Sequence, residues 1–159
     1  MSDKFEDLLK KRRTEYKTFV SMYCNCLREH VIFNSDGFNH LRFHIDGTPR
    51  NSAEQMYKLG LLPLVKPVIY SSSKVDQYER RLAPVGRKKK DGKKIEKEVE
   101  YWSLVAVVGK QEVKLRVILR RVGTGKIHFW SVMKLAEKQK TPWWGIFVVF
   151  GSALEFLIR

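Results

Sequence analysis

Only two of the 159 residues are cysteine, Cys24 and Cys26, one residue apart. With no second pair there is no zinc-binding spacing. On a helix the two side chains would point about 200° apart, which is poor geometry for a disulfide. Such cysteine usage predicts a reduced, cytoplasmic protein. The start, M-S-D-K-F-E-D, is charged and has no apolar signal core, so no secretory leader is expected. A P-loop, a dinucleotide-binding glycine fingerprint and an H-E-x-x-H pair are all missing, and no Ser-His-Asp order stands out. Carboxylates cluster poorly: Glu96, Glu98, Glu100 and Glu112 lie among many lysines, which speaks against metal-dependent nuclease chemistry. Neither a metal nor a cofactor is expected. Long apolar runs are also scarce. Trp143 to Leu154 gives 12 apolar or small residues before Glu155, short of the 18 or more that a spanning helix wants.

What the chain has is positive charge. There are 31 Lys and Arg against 17 Asp and Glu, a formal net charge of +14. Residues 1–79 carry 12 basic and 10 acidic side chains, whereas residues 80–140 carry 18 and 6. One stretch therefore holds nearly all the excess, and it should meet a polyanion: nucleic acid, an anionic membrane or an acidic protein. The length fits one domain, and 43% apolar residues suffice for a core.

Apolar spacing predicts an amphipathic helix over 3–29, through Phe5, Leu8, Leu9, Tyr16, Phe19, Val20, Tyr23, Cys24 and Leu27. The basic run Lys10–Arg13 reads as a solvated face of it. Val31-Ile32-Phe33 ends in N-S-D-G, a turn signal, and Phe38, Leu41 and Ile45 suggest a short helix over 37–45. There His40 and His44 share a face. Ser52 with Gln55 forms a capping box for a helix over 53–61 that buries Met56 and Leu59. Pro63 restarts or kinks it. From about residue 76 the period becomes two. Asp91-Gly92 is a hairpin signal, and strands are expected near 78–82, 95–108, 113–121 and 126–133. Helices first and an antiparallel meander second is an α+β pattern, with N-terminal helices packed on a four-stranded antiparallel sheet and an apolar C-terminal extension. The divisions are an N-terminal helix over 1–30, a domain over 31–141 and a tail over 142–159.

Alternation sorts the strand faces. Val113, Leu115, Val117 and Leu119 face one side, while Lys114, Arg116, Ile118 and Arg120 face the other. On the last strand Ile127, Phe129, Ser131 and Met133 oppose Lys126, His128 and Trp130. If helices cover the apolar side, the second side displays guanidinium groups, an imidazole and an aromatic plane on one open surface. Metal-free RNA cleavage needs those parts: a base for the 2′-hydroxyl, an acid for the 5′-oxygen and cations for the phosphorane. Histidine titrates in the right range and arginine stays charged. Trp130 could stack a base. Arg80, Arg81, Arg87, Lys88, Lys89, Lys90, Lys93, Lys94, Lys114 and Lys126 would steer or hold the polyanion.

F-N-H-L at 38–41, S-A-E-Q-M-Y-K-L-G-L-L-P at 52–63, Y-E-R-R at 78–81, V-E-Y-W-S-L-V-A at 99–106, V-K-L-R-V-I-L-R-R at 113–121 and G-K-I-H-F-W-S-V-M at 125–133 form an ordered series. Across residues 36–133 it resembles the small phage- and bacterium-associated nucleases of the barnase–EndoU–colicin–RelE superfamily. That resemblance implies N-terminal helices on a four-stranded antiparallel sheet and metal-independent ribonuclease activity, often as a toxin or effector. It implies an active-site histidine at His40, a phosphate-binding arginine at Arg116 or Arg120, and a polar residue at His128 or Ser131. Simple alternation puts Ser131 on the side away from His128. A bulge near Trp130 would reconcile the two.

Three functions follow as expectations. One is an endoribonuclease using His40 and His128 as base and acid, with an acidic antitoxin or immunity protein as partner. The second is an RNA-binding module that does not cut. The third is a protein organised by its tail, through homo-oligomer or membrane contact.

Overall fold

The computed structural model describes residues 2–136. The tail over 142–159 lies outside the described residues, and with it the expected oligomer or membrane contact. Among the described residues no helix is long and apolar enough to cross a membrane.

The chain is α+β. Helix α1 (Ser2–Phe19) is followed by strands β1 (Ser21–Cys24) and β2 (Glu29–Ile32). The expected helix over 3–29 is therefore wrong beyond Phe19. The chain leaves the helix at Val20, whose φ of +49° is a left-handed conformation that stops helical winding. The following S-M-Y-C has aromatic and extended character and pairs with E-H-V-I as an antiparallel hairpin. Then come α2 (Ser35–Arg42) and α3 (Ser52–Leu61). A 3₁₀ turn at Leu62–Leu64, containing Pro63, leads into α4 (Val65–Ser71). Strands β3 (Gln77–Val85), β4 (Ile95–Val108), β5 (Val113–Val122) and β6 (His128–Lys134) complete the order.

The sheet has six strands in the order β1-β2-β6-β5-β4-β3. This corrects the expected four-stranded antiparallel sheet. The meander β3–β6 is antiparallel, but β2 joins β6 in parallel through Ile32 and His128. Of the two extra strands, β1 comes from the segment that helical spacing assigns to the first helix, and β2 from the short apolar run that follows it.

Helices pack on one face of the sheet. Leu9, Tyr16 and Phe19 of α1, Leu59 of α3 and Val65, Val68 and Ile69 of α4 form one core with Trp102, Leu104, Leu115, Val117, Leu119 and Phe129. At about 25 cal/mol per Å² of apolar surface buried, this cluster is the main source of stability. The second face is also buried. Val99, Tyr101, Ile118, Trp130 and Met133 make a separate cluster flanked by Ala83, Val85 and Val122. The open basic surface expected there does not exist: Arg116, Arg120 and His128 are each less than a tenth exposed.

Two helix starts are set by asparagine. Asn34 Oδ1 accepts the Gly37 N–H at 3.2 Å, so N-S-D-G begins α2 instead of forming a turn. Asn51 caps α3 by accepting the Glu54 N–H at 2.9 Å, and its own amide donates to Glu54 Oε1 at 2.6 Å. The expected Ser52–Gln55 box is thus displaced by one residue. Met56, expected inside, is 36% exposed, and Lys58 is buried in its place. Gly37 is sterically required, because a Cβ there would lie 2.4 Å from the Phe129 carbonyl oxygen.

A buried arginine under a histidine-lined cavity

The decisive local feature is in β6. Leu119 pairs with Phe129, but Ile118 pairs with Ser131, so Trp130 is an extra, unpaired residue: a β-bulge. Beyond it the alternation of β6 is reversed. Ser131 and Met133 pair with Ile118 and Arg116, and thus join the face that carries His128 and Arg120. Simple alternation puts them on the other side.

The free edge of β6 past the bulge is covered by α3. Lys58 Nζ donates to Ser131 Oγ at 3.1 Å and to the Val132 carbonyl at 3.2 Å. Tyr57 Oη accepts the Lys134 N–H at 2.8 Å. Burial, with the Arg50 charge, pushes Lys58 down to about 7, opposed by Glu54. Ser131 is fully buried in this contact and does not line the cavity described next.

The bulged Trp130 is held on both sides. His40 of α2 stacks on it at 4.0 Å between ring centroids with 17° between planes. The Arg120 guanidinium carbon lies 4.1 Å from its centroid. With these two neighbours against it, Trp130 is a partition between imidazole and guanidinium and not a platform for a stacked base. Arg120 also lies 5.9 Å from the Tyr101 ring.

Above this stack opens a cavity of about 580 Å³. Asp36, Asn39 and His40 of α2 line it, followed by Phe43, His44, Ile45 and Gly47. The β3–β4 hairpin contributes Pro84, Val85, Gly86, Arg87 and Lys94, and Arg120 with Trp130 form the floor. The His44 loop is fixed from within. His44 N–H donates to the Thr48 carbonyl at 2.8 Å, and Asp46 Oδ1 accepts the Thr48 N–H at 2.9 Å. Arg50, fully buried, donates from Nε to the His40 carbonyl at 3.1 Å and so anchors the end of α2.

Arg120 is 7% exposed, and its Nε has no hydrogen-bond partner. Arg116 Nε also lacks a partner, and what sets the strand neighbours of Arg120 apart is a carboxylate. Arg121 pairs with Glu100 at 2.7 Å and Arg116 with Asp76 at 3.3 Å. Among the described residues no such carboxylate answers Arg120. His128, opposite Arg120 in register, is 5% exposed. Burial first, then the Arg120 charge, push it down to about 4, against Asp36 and a hydrogen bond with the Lys126 backbone. At neutral pH it is therefore an uncharged imidazole, and its Nε2 also lacks a partner.

The expected residues thus separate into groups. His40, Arg120, Trp130, Arg87 and Lys94 meet at the cavity. His128 touches the edge of Trp130 at 6.0 Å but does not line the cavity. Arg116 shares the face with Arg120 but lies four residues along β5, about 13 Å away. Burial holds its pKa below the usual value, and Asp76 partly offsets this. Arg80 forms an ion pair with Glu98 and lies on the first sheet face, away from the cavity. Arg81 packs 5.3 Å from Tyr101 and pairs with Glu79 at 3.7 Å. Lys88, Lys89, Lys90 and Lys93 are exposed on the hairpin tip, where Asp91-Gly92 forms the expected turn with Gly92 at φ +80°. Lys114 is exposed near the start of β5, and Lys126 is exposed in the loop before β6.

The cavity adds Asp36, Asn39 and His44 to the sequence-derived set. His44 is detectable from its spacing to His40, although the helical face invoked for it does not exist, since α2 ends at Arg42. Among the described residues no group of three or more His, Cys, Asp or Glu is placed to hold a metal ion. Compared with protein-family models, with curated proteins and with solved structures, the chain matches none.

Proposed function

We propose that the cavity binds RNA and cleaves it by attack of the 2′-hydroxyl on the adjacent phosphate, without a metal. One observation carries this reading: Arg120 is a buried cation with an unsatisfied Nε at the floor of a cavity lined by two histidines. A guanidinium withdrawn from water without a counter-charge costs several kcal/mol, and an anionic ligand removes that cost. A phosphodiester supplies the anion, and Arg120 would stabilise its extra charge in the phosphorane.

His40 and His44 are the proton carriers of this proposal, one taking the 2′-hydroxyl proton and the other delivering one to the 5′-oxygen. His44 replaces His128, because a buried imidazole with its pKa near 4 is a poor acid-base partner at neutral pH and lies off the cavity. Arg87 and Lys94 flank the opening, and the exposed hairpin lysines draw the strand in. The kinship with barnase–EndoU–colicin–RelE nucleases belongs to the same proposal, as does an acidic inhibitor protein that would dock on the hairpin.

A second reading, RNA binding without cleavage, is favoured by the packing of His40: it is 4% exposed and stacked on Trp130, as a rigid wall would be. Incubation of the protein with single-stranded RNA in EDTA separates the two. The expected result is a 2′,3′-cyclic phosphate product with the wild type and none with His40→Ala/His44→Ala. Salt-sensitive binding with intact RNA selects the binding module, and neither binding nor products overturns both readings.

A further inference from the structure

The two cysteines occupy a different setting from the helix expected for them. Cys24 is the last residue of β1, and Cys26 lies in the turn over 25–28 that leads into β2. Their sulfur atoms are 3.5 Å apart and in hydrogen-bonding contact. Cys24 is fully buried in the main core. Cys26 packs on the rim of that core and is partly exposed. The strand-to-turn backbone folds the second thiol back over the first, which a helix would not do.

Two sulfurs so placed need to approach by only about 1.5 Å to reach bonding distance. Their unequal exposure gives them different parts to play. A soluble oxidant meets Cys26 first. Cys24 is closed to bulky reagents but touches the Cys26 sulfur.

We propose that Cys24 and Cys26 form a dithiol–disulfide pair whose co-substrate is a disulfide of the glutathione class. The Cys26 thiolate attacks one sulfur of oxidised glutathione. A mixed disulfide forms, the glutathione S–S bond breaks and one glutathione thiolate leaves. The Cys24 thiolate then attacks the Cys26 sulfur, and the second glutathione thiolate leaves as the intramolecular disulfide closes. The protein loses two protons and two electrons, and oxidised glutathione becomes two reduced molecules.

Burial, together with the neighbouring Cys24 thiol, pushes Cys26 up to about 12. The thiolate fraction at neutral pH is therefore small, and exchange is slow there and faster in alkali. This pair stays reduced until a disulfide is present in quantity.

The test uses the full chain with oxidised glutathione at about pH 8.5, acid quenching and intact-mass measurement. The wild type is expected to lose about 2 Da, to drop from two titratable thiols to none and to stay unlinked to other chains. Cys24→Ser should stop at a retained glutathione adduct, because the resolving sulfur is gone. Cys26→Ser should remain unmodified, because Cys24 is out of reach. A stable adduct on the wild type, chains linked through disulfides, or no reaction over the time in which Cys24→Ser is modified would each overturn the proposal. The readout is independent of RNA, so it stands or falls apart from the nuclease reading.

Discussion

Arg116 and Arg120 sit on the same strand, on the same face, four residues apart, and both are buried. They nevertheless occupy two different chemical regions. At the Arg116 end, Asp76 supplies a carboxylate at 3.3 Å and the cation is answered within the protein. At the Arg120 end the neighbours are Trp130, Tyr101 and a neutral His128, and a cavity opens beside two further histidines. The same residue type is a structural ion pair in one place and, among the described residues, a buried cation without a carboxylate in the other. What separates them is the partner set, which strand position does not specify.

The strongest way to break this comparison is to remove each guanidinium in turn. Arg120→Met should lower RNA cleavage by about 100-fold or more, the scale of losing one oxyanion-stabilising group. Arg116→Met should lower it less than about 3-fold, with any loss appearing in thermal stability instead. Equal losses of activity in the two variants would erase the distinction.

Protonation probes the Arg120 end next. His128 takes up a proton near 6.5 when unfolded but only near 4 when folded. As pH falls through that window the unfolded state gains protons that the native state refuses, so stability is lost. The full effect is about 3 kcal/mol. Denaturant melts from pH 7 to 4 should show this drop, and His128→Gln should flatten it. Arg120→Met removes a repelling charge, so it should raise the folded-state pKa of His128 and shrink the drop, whereas Arg116→Met should not.

Gly37 tests the packing that brings His40 to Trp130. Gly37→Ala forces a methyl into the Phe129 carbonyl and the Tyr16 hydroxyl, and should cost about 2 kcal/mol through overpacking. A melt that is unchanged would mean α2 can slide along β6, and the cavity wall with it. The Arg116 end should be untouched, so the Arg116–Asp76 contribution to stability, measured by a double-mutant cycle, should survive.

The smallest effect concerns attraction over distance. Lys88→Gln/Lys89→Gln/Lys90→Gln should leave the melt unchanged and reduce the salt slope of single-stranded RNA binding by about 2, at roughly 0.7 for each phosphate that the lysines neutralise. A slope unaffected by these three changes would assign the binding to Arg120, Arg87 and Lys94 alone.

Much of the scaffold is legible in the residues. The 3.6-residue spacing of Phe5, Leu8, Leu9 and Tyr16 marks α1, and Asp91-Gly92 marks the hairpin tip. Strict alternation in V-K-L-R-V-I-L-R-R marks β5. The end of α1 is not legible, since Phe19, Val20 and Tyr23 continue a helical pattern while the backbone turns at Val20. Nor is the inside of α3. Met56 looks like core and Lys58 like surface. Lys58 is buried because the β6 edge offers it Ser131 Oγ and the Val132 carbonyl, acceptors 73 and 74 residues away.

The candidate site divides along the same line. Strand face singles out Arg120 and Trp130, the resemblance implies His40, and these three do meet. Strand face also singles out Arg116 and His128, the resemblance implies Ser131, and these do not line the cavity. A bulge adds one residue to a strand with no compositional mark, so F-W-S-V-M reads equally well in either register.

By itself, the sequence determined the α+β class, the strand periodicity and the concentration of positive charge between residues 80 and 140. Those follow from local spacing and from counting. The tertiary structure alone decided that the second sheet face is buried, that β6 bulges at Trp130 and that Arg120 lacks the carboxylate Arg116 has. Burial and pairing are relations between segments far apart in the chain, and a charge takes its chemical meaning from the neighbours that such relations supply.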